Sequence, residues 1–366
     1  MQDQKLWVER YRPLTLADAN LIHKEQNQIL SRLAESDDFP HVLLYGPSGA
    51  GKRTLTKAVL QALYGTNSVH KIKSEHKEYK VSSTSSTTCS AVVFSSVYHI
   101  EVTPSEADNY DRVIVQKLIK EVAGSQQLDS KQQKCFKVVV IHELDQLTHS
   151  AQASLRRTME TFMPTCRIIA NCESLSKVIM PLRSRCLQVR VPAPQKADVA
   201  NILSRIAGRE NFELPQVLAE NIAEMSRRNM RRAIMMLQTL RVKNQSLKPS
   251  TAIPMPDYEG FICEIATDVN ADQSPNQLKL IRGKLYELLT KGITADVIFQ
   301  TLCREFLKTQ QSRSTLVESI KPQVLRYAVL FEGRCREGSK PIMHLEAFLA
   351  RTMALIKQSQ MGGFRR

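Results

Sequence analysis

The chain has 366 residues, enough for two or three domains with their own cores. Its 51 Lys and Arg against 36 Asp and Glu leave a net charge of +15, which points to a polyanionic partner, nucleic acid first, over a merely solvated basic face. No apolar run of about 18 residues predicts a membrane span, no basic-then-apolar leader predicts secretion, and the eight scattered cysteines, lacking C-x-x-C pairs, predict reduced thiols over disulfides or a zinc site.

Trp7-Val8-Glu9-Arg10-Tyr11-Arg12-Pro13 precedes a predicted helix from His23 to Ala34. Residues 41–54, HVLLYGPSGAGKRT, then read as a buried strand (Val42–Tyr45), a glycine-rich turn and a helix start continued by Leu55–Leu63. Gly46, Gly51 and Lys52 fit the G-x-x-x-x-G-K phosphate loop, whose backbone N–H groups cradle nucleotide phosphates at a helix N-terminus. The pattern asks next for a Ser or Thr hydroxyl on magnesium, but Arg53 stands there and Thr54 comes one place late. Nucleotide contact is therefore expected over Gly46, Pro47, Ser48, Gly49, Ala50, Gly51, Lys52, Arg53 and Thr54, with magnesium left open. The bland alternative, a Gly-rich turn as punctuation, sits poorly with the strand before it and the helix after it.

Two alternating segments, Glu75–Val81 and Ala91–Val97, flank a Ser/Thr-rich stretch, Ser82–Ser90, and predict a hairpin or a mobile insert. A helix over Asp111–Val122, a buried strand over Phe136–Ile141, a helix over Ala151–Phe162, a strand from Cys166 to Asn171 and a last strand over Cys186–Val191 follow. Strands separated by helices predict a parallel sheet with crossovers. Pro192-Ala193-Pro194 breaks that pattern; Lys196 to Arg241 reads as three helices, 244–257 as a proline-bearing linker, and the rest to Gln358 as helical. There Leu278, Ile281, Leu285, Leu288 and Leu289 form one apolar stripe and Leu345, Phe348, Leu349, Met353 and Ile356 another, as core or partner contact.

Hydrolysis needs a magnesium carboxylate and a water-activating acid at the end of a neighbouring strand. After Ile141 an Asp-Glu pair is expected; the chain has His142-Glu143. Glu143 occupies the base position, whereas His142 is a poor ligand for a cation that prefers oxygen. The competing reading is a strand end turned to solvent. Asn171 is placed to sense a γ-phosphate or else to cap the following turn. Arg231, at a helix start, folds onto phosphate or is a solvated charge. The arginines of Pro181-Leu182-Arg183-Ser184-Arg185-Cys186 are held outward before a strand, suited to phosphoryl charge in another subunit or to a surface salt bridge.

Taken with the phosphate loop, Trp7–Pro13, Ser154-Leu155-Arg156-Arg157-Thr158-Met159-Glu160, Ser176-Lys177-Val178-Ile179 and Ser184-Arg185-Cys186 occur in an order that resembles the small subunits of replication factor C, the eukaryotic AAA+ sliding-clamp loader. The Lys-Arg-Thr loop ending and the missing Asp before Glu143 are most similar to the family's subunit 3. The resemblance implies an α/β P-loop AAA+ core (a parallel sheet with flanking helices) over 1–192, a small helical lid over 193–247 and an all-α oligomerising collar over 248–366. It implies ATP or ADP held by Tyr11, Arg12, Pro13 and the loop, with Asn171 and Arg231 facing the phosphates. It implies Arg185 as an arginine lent in trans to a neighbour's ATP, and Glu143 as an acid in an impaired site. The implied partners are the other loader subunits, the sliding clamp, and primer-template DNA gripped by its backbone, with Arg112 and Lys177 facing the DNA channel. The implied location is the nucleus, away from membranes. The rival expectations are an autonomous AAA+ remodelling ATPase and a non-hydrolysing scaffold.

Overall fold

The structure, a computed structural model, describes residues 5–360 except 37, 66–71, 81–87, 125–135, 164, 245, 250 and 309–319. The chain folds as two compact units, Met1–Ile253 and Pro254–Arg366.

The first unit is organised by a seven-stranded sheet in the order β2-β3-β4-β5-β6-β1-β7. Its strands are β1 (Val42–Tyr45), β2 (Lys73–Lys80), β3 (Thr88–Ser95), β4 (His99–Val102), β5 (Lys137–Ile141), β6 (Cys166–Cys172) and β7 (Leu187–Arg190). The apolar run of β5 forms a central strand because helices cover both sheet faces, so both side-chain sets are buried. Val139 and Ile141 point into one core beside the helices Asp111–Gly124 and His149–Thr161, while Val138 and Val140 point into the other beside Lys24–Glu35 and Lys52–Tyr64. β1 alternates in register with it: Leu43 joins the first core, Val42 and Leu44 the second.

The expected all-parallel sheet needs correction. β4, β5, β6, β1 and β7 run parallel, but β2 pairs antiparallel with β3, and β3 with β4. The hairpin expectation is met by β2 and β3, its connecting residues 81–87 lying outside the described residues. The strand expected to reach Val97 instead ends at Ser95, and β4 begins four residues later, after a turn in which the Ser96 amide donates to the His99 carbonyl at 2.9 Å. β4 hid in the sequence because two of its three buried positions, His99 and Glu101, are polar; the third is Val102.

Three helices, Lys196–Arg209, Gln216–Met225 and Met230–Lys243, close the unit around Val199, Leu203, Leu218, Ile222, Leu237 and Leu240. Trp7 belongs to this helical core, its ring stacked on Phe212 at 6.0 Å. The second unit holds, among the described residues, five helices: Asp257–Ala271, Pro275–Thr290, Ala295–Leu307, Lys321–Glu337 and Pro341–Gln360. Both leucine-rich stripes are core here: Ile281, Leu285 and Leu288 are buried with Leu345, Phe348, Leu349, Met353 and Ile356, and Leu278 and Leu289 pack against them. No helix among the described residues is long and apolar enough to cross a membrane.

Candidate functional site

A cavity of about 430 Å³ opens where the loop after β1, the strand ends of β5 and β6, the N-terminal segment and the three-helix layer converge. The loop turns because glycines take left-handed backbone at Gly49 (φ 71) and Gly51 (φ 104). Gly49 also touches the helical layer: its carbonyl accepts from the Met230 amide at 3.2 Å, and a Cβ there would lie 2.0 Å from Asn229 Oδ1. Gly51 caps the 13-residue helix Lys52–Tyr64 without a side-chain hydrogen bond, so the first-turn N–H groups face the cavity mouth with the positive end of the helix dipole. His23, buried behind the loop, donates from Nε2 to the Ala50 carbonyl at 2.8 Å.

Lys52 Nζ donates to the carbonyls of Gly46 (2.6 Å) and Pro47 (3.0 Å), and burial lowers its pKa. Arg53 follows, its guanidinium 3.3 Å from Glu143 Oε1, with both side chains about half exposed. Glu143 has a left-handed backbone (φ 56) and accepts from Ser105 Oγ at 3.2 Å through its other oxygen. Beneath them lies a polar chain. Asn171 on β6 meets Thr56 Oγ1 at 3.2 Å and His142 Nδ1 at 3.0 Å, and His142 Nε2 lies 3.4 Å from Glu101 Oε2. Burial alone would raise the Glu101 carboxyl, but the hydrogen bond to His142, the His99 imidazole 3.5 Å away and the charges of His142 and Lys57 together outweigh it and hold the group well below the usual carboxylate range. His142 is buried while Glu143 beside it is exposed, so only the second residue of the pair turns to solvent.

The cavity brings together Tyr11, Arg12, Pro13, Ser48, Gly49, Ala50, Gly51, Lys52, Arg53, Thr54, Glu143, Asn171 and Arg231. Gly46 and Pro47 stand just behind, through the carbonyls that hold Lys52. The Tyr11 hydroxyl donates to Glu210, which also accepts from Arg10 at 3.1 Å, and Arg12 pairs with Glu9 at 2.6 Å. Arg205 and Arg209 also line the cavity and were not foreseen from the sequence, although Ile202, Arg205, Ile206 and Arg209 share one helical face.

Arg185 lies elsewhere. It occupies the exposed turn before β7, the edge strand, where its guanidinium bonds Glu160 (2.5 Å from Nη2, 2.7 Å from Nε) and donates to the Pro181 carbonyl at 2.9 Å. Arg112 and Lys177 are exposed, the first on the helix Asp111–Gly124, the second in the turn Leu175–Lys177. The helix His149–Thr161 ties these places together: Thr148 at its start bonds Asp111, and the Gln152 side chain donates to the Lys177 carbonyl at 3.1 Å.

The loop, the uncapped helix start and the cationic lining fit a nucleoside polyphosphate. The two positions at which the loop pattern would serve magnesium fit it poorly: Arg53 stands in place of the hydroxyl, and both His142 ring nitrogens are engaged inside the fold, although the carboxylates of Glu143, Asp145 and Glu173 line the cavity.

Fold and cavity together define an AAA+ P-loop protein with a helical lid. Family models agree: "RCF1/5-like, AAA+ ATPase lid domain" matches residues 201–242, "DNA polymerase III, delta subunit" 22–195 and "Replication factor C subunit 3, C-terminal domain" 258–360. Among solved structures, the Thermotoga maritima RuvB Holliday junction branch migration motor superposes with a TM-score of 0.50 at 16% identity over 86% of this chain and 98% of that one, a likeness of fold alone. Replication factor C subunit 3 of Homo sapiens is 44% identical, covering 98% of each chain, and that of Arabidopsis thaliana 42%, covering 98% and 99%. Replication factor C subunit 5 of Schizosaccharomyces pombe is 40% identical over 98% of both. The chain belongs to the replication factor C subunit family.

Proposed function

We propose that the chain works as one subunit of a clamp-loading ATPase, which uses ATP to open a sliding clamp and place it on primer-template DNA in the nucleus. Its own cavity binds ATP or ADP but turns it over poorly, and its catalytic contribution is Arg185, lent to the ATP of a neighbouring subunit. The observation that carries this division is placement: Arg185 is held outward at the sheet edge, outside its own nucleotide cavity, while in that cavity Arg53 and His142 occupy the two positions expected to supply oxygen ligands to magnesium. Inside the cavity, Lys52 exchanges the Gly46 and Pro47 carbonyls for phosphate, Asn171 and Arg231 face the terminal phosphate, and Tyr11, Arg12 and Pro13 wall the base. Arg112 and Lys177 are assigned to the DNA backbone, which gives salt-dependent binding without base preference.

The test is the clamp- and DNA-stimulated ATPase of the reconstituted complex, comparing Lys52→Ala with Arg185→Ala in this chain. A large loss for Arg185→Ala beside a small one for Lys52→Ala supports the division. The reverse result makes the cavity a working ATPase and overturns it, and appreciable turnover by the isolated chain would favour an autonomous enzyme.

A further inference from the structure

Arg53 sits in the first turn of the helix Lys52–Tyr64, at the place where the loop pattern supplies a metal-binding hydroxyl. Its guanidinium is 3.3 Å from Glu143, whose second oxygen accepts from Ser105. The next group along, His142, is turned into the fold, bonded to Asn171 and facing Glu101. A permanent cation thus occupies the sequence position at which the loop pattern supplies a metal-binding hydroxyl.

We propose that nucleotide binding at this site needs no divalent cation, because the Arg53 guanidinium supplies both the charge and the contact that magnesium provides at a complete phosphate loop. The inference rests on the nucleotide reading above and deepens it. Three physical reasons support it. An arginine stays charged throughout the accessible pH range and meets phosphate oxygens with a planar, two-pronged set of donors. Release from Glu143 is cheap: both side chains are about half exposed, and such a pair is worth at most about 1 kcal/mol. The cavity adds further cations: with Arg10 and Arg12 paired to Glu210 and Glu9, Lys52, Arg205, Arg209 and Arg231 stand beside Arg53 along its lining to meet a polyphosphate. Glu143 in this arrangement is the counter-ion of Arg53 until phosphate arrives and displaces it.

The measurement is equilibrium binding of a fluorescent ADP analogue to the full-length chain in excess magnesium and in excess EDTA. The wild-type affinity is expected to change by less than about threefold between the two, and Arg53→Ser to bind about tenfold more weakly than wild type in EDTA, the size of one charge-assisted contact. Magnesium should restore part of that loss for Arg53→Ser, which regains the hydroxyl, and less for Arg53→Ala. A wild-type chain that binds about tenfold more tightly with magnesium overturns the inference but leaves the nucleotide reading intact. So does an Arg53→Ser variant equal to wild type in EDTA. Absence of binding in both conditions overturns the nucleotide reading itself, and the inference with it.

Discussion

Arg53 and Arg185 are both partly exposed, and each is paired with a glutamate, Glu143 for the first and Glu160 for the second. They differ in the element that carries them. Arg53 follows the phosphate loop on the first turn of a helix and lines the chain's own cavity; Arg185 sits on a turn before the edge strand β7 and does not. Neither ion pair contributes much stability, since exposed pairs are worth at most about 1 kcal/mol. The contrast separates a charge at the chain's own cavity from one outside it; under the proposed function, Glu143 holds the first ready for the chain's own ligand and Glu160 holds the second ready for another subunit's.

The sharpest way to break this contrast is to exchange the arginines' consequences. Arg185→Ala should lower turnover at the site it serves by roughly 10³-fold, the low end for an arginine acting in trans. In the assembled complex this reads as the loss of one site's share of the ATPase. Arg185→Lys should recover little, because an ammonium cannot reproduce the planar fork.

The start of β1, where the His41 carbonyl accepts from the Leu187 amide of β7 at 2.7 Å, should respond to acid. Burial, with a smaller contribution from Arg167, lowers the His41 imidazole to about 4, and its Nδ1 accepts from the Ile168 amide at 3.0 Å. The unfolded chain therefore binds this proton first as pH falls. Stability is fully present above pH 6.5 and declines towards pH 4, by about 3 kcal/mol for the whole shift. Melting temperature measured across that range should fall for wild type and less steeply for His41→Gln, in which buried His23, lowered in the same direction, remains, while Arg185→Ala should keep the wild-type slope. An unchanged slope in His41→Gln would place the acid sensitivity elsewhere.

Gly49→Ala sharpens the cavity side. Its left-handed backbone and the 2.0 Å approach to Asn229 predict a cost of about 2 kcal/mol, read as a lowered melting temperature, together with weakened nucleotide binding. Arg112→Ala and Lys177→Ala should have the smallest effects: a few-fold loss of DNA affinity and a salt-dependence slope reduced by about 1 each, equal for all DNA sequences. A sequence-dependent loss would contradict backbone contact.

Much of this was written locally. Gly46, Gly51 and Lys52 fix a phosphate loop through chain geometry alone, and the apolar runs of β1, β5 and β6 announce central strands because only a doubly covered sheet buries both faces. Arg53 and His142 were legible as departures from a short pattern. Other features depended on distant partners. β4 reads as polar until His99 and Glu101 are seen buried beside His142, and Trp7 has no evident role until Phe212, some two hundred residues on, supplies a stacking ring.

The class of protein and the loop were readable from residue types at fixed short spacings, and the same spacings raised the expectation of missing metal ligands at Arg53 and His142. That Arg53 meets Glu143 and that Arg205 and Arg209 join the cavity depended instead on the folded unit. Those outcomes turn on which elements pack side by side, a balance of burial and hydrogen bonding summed over the whole unit that no local spacing encodes.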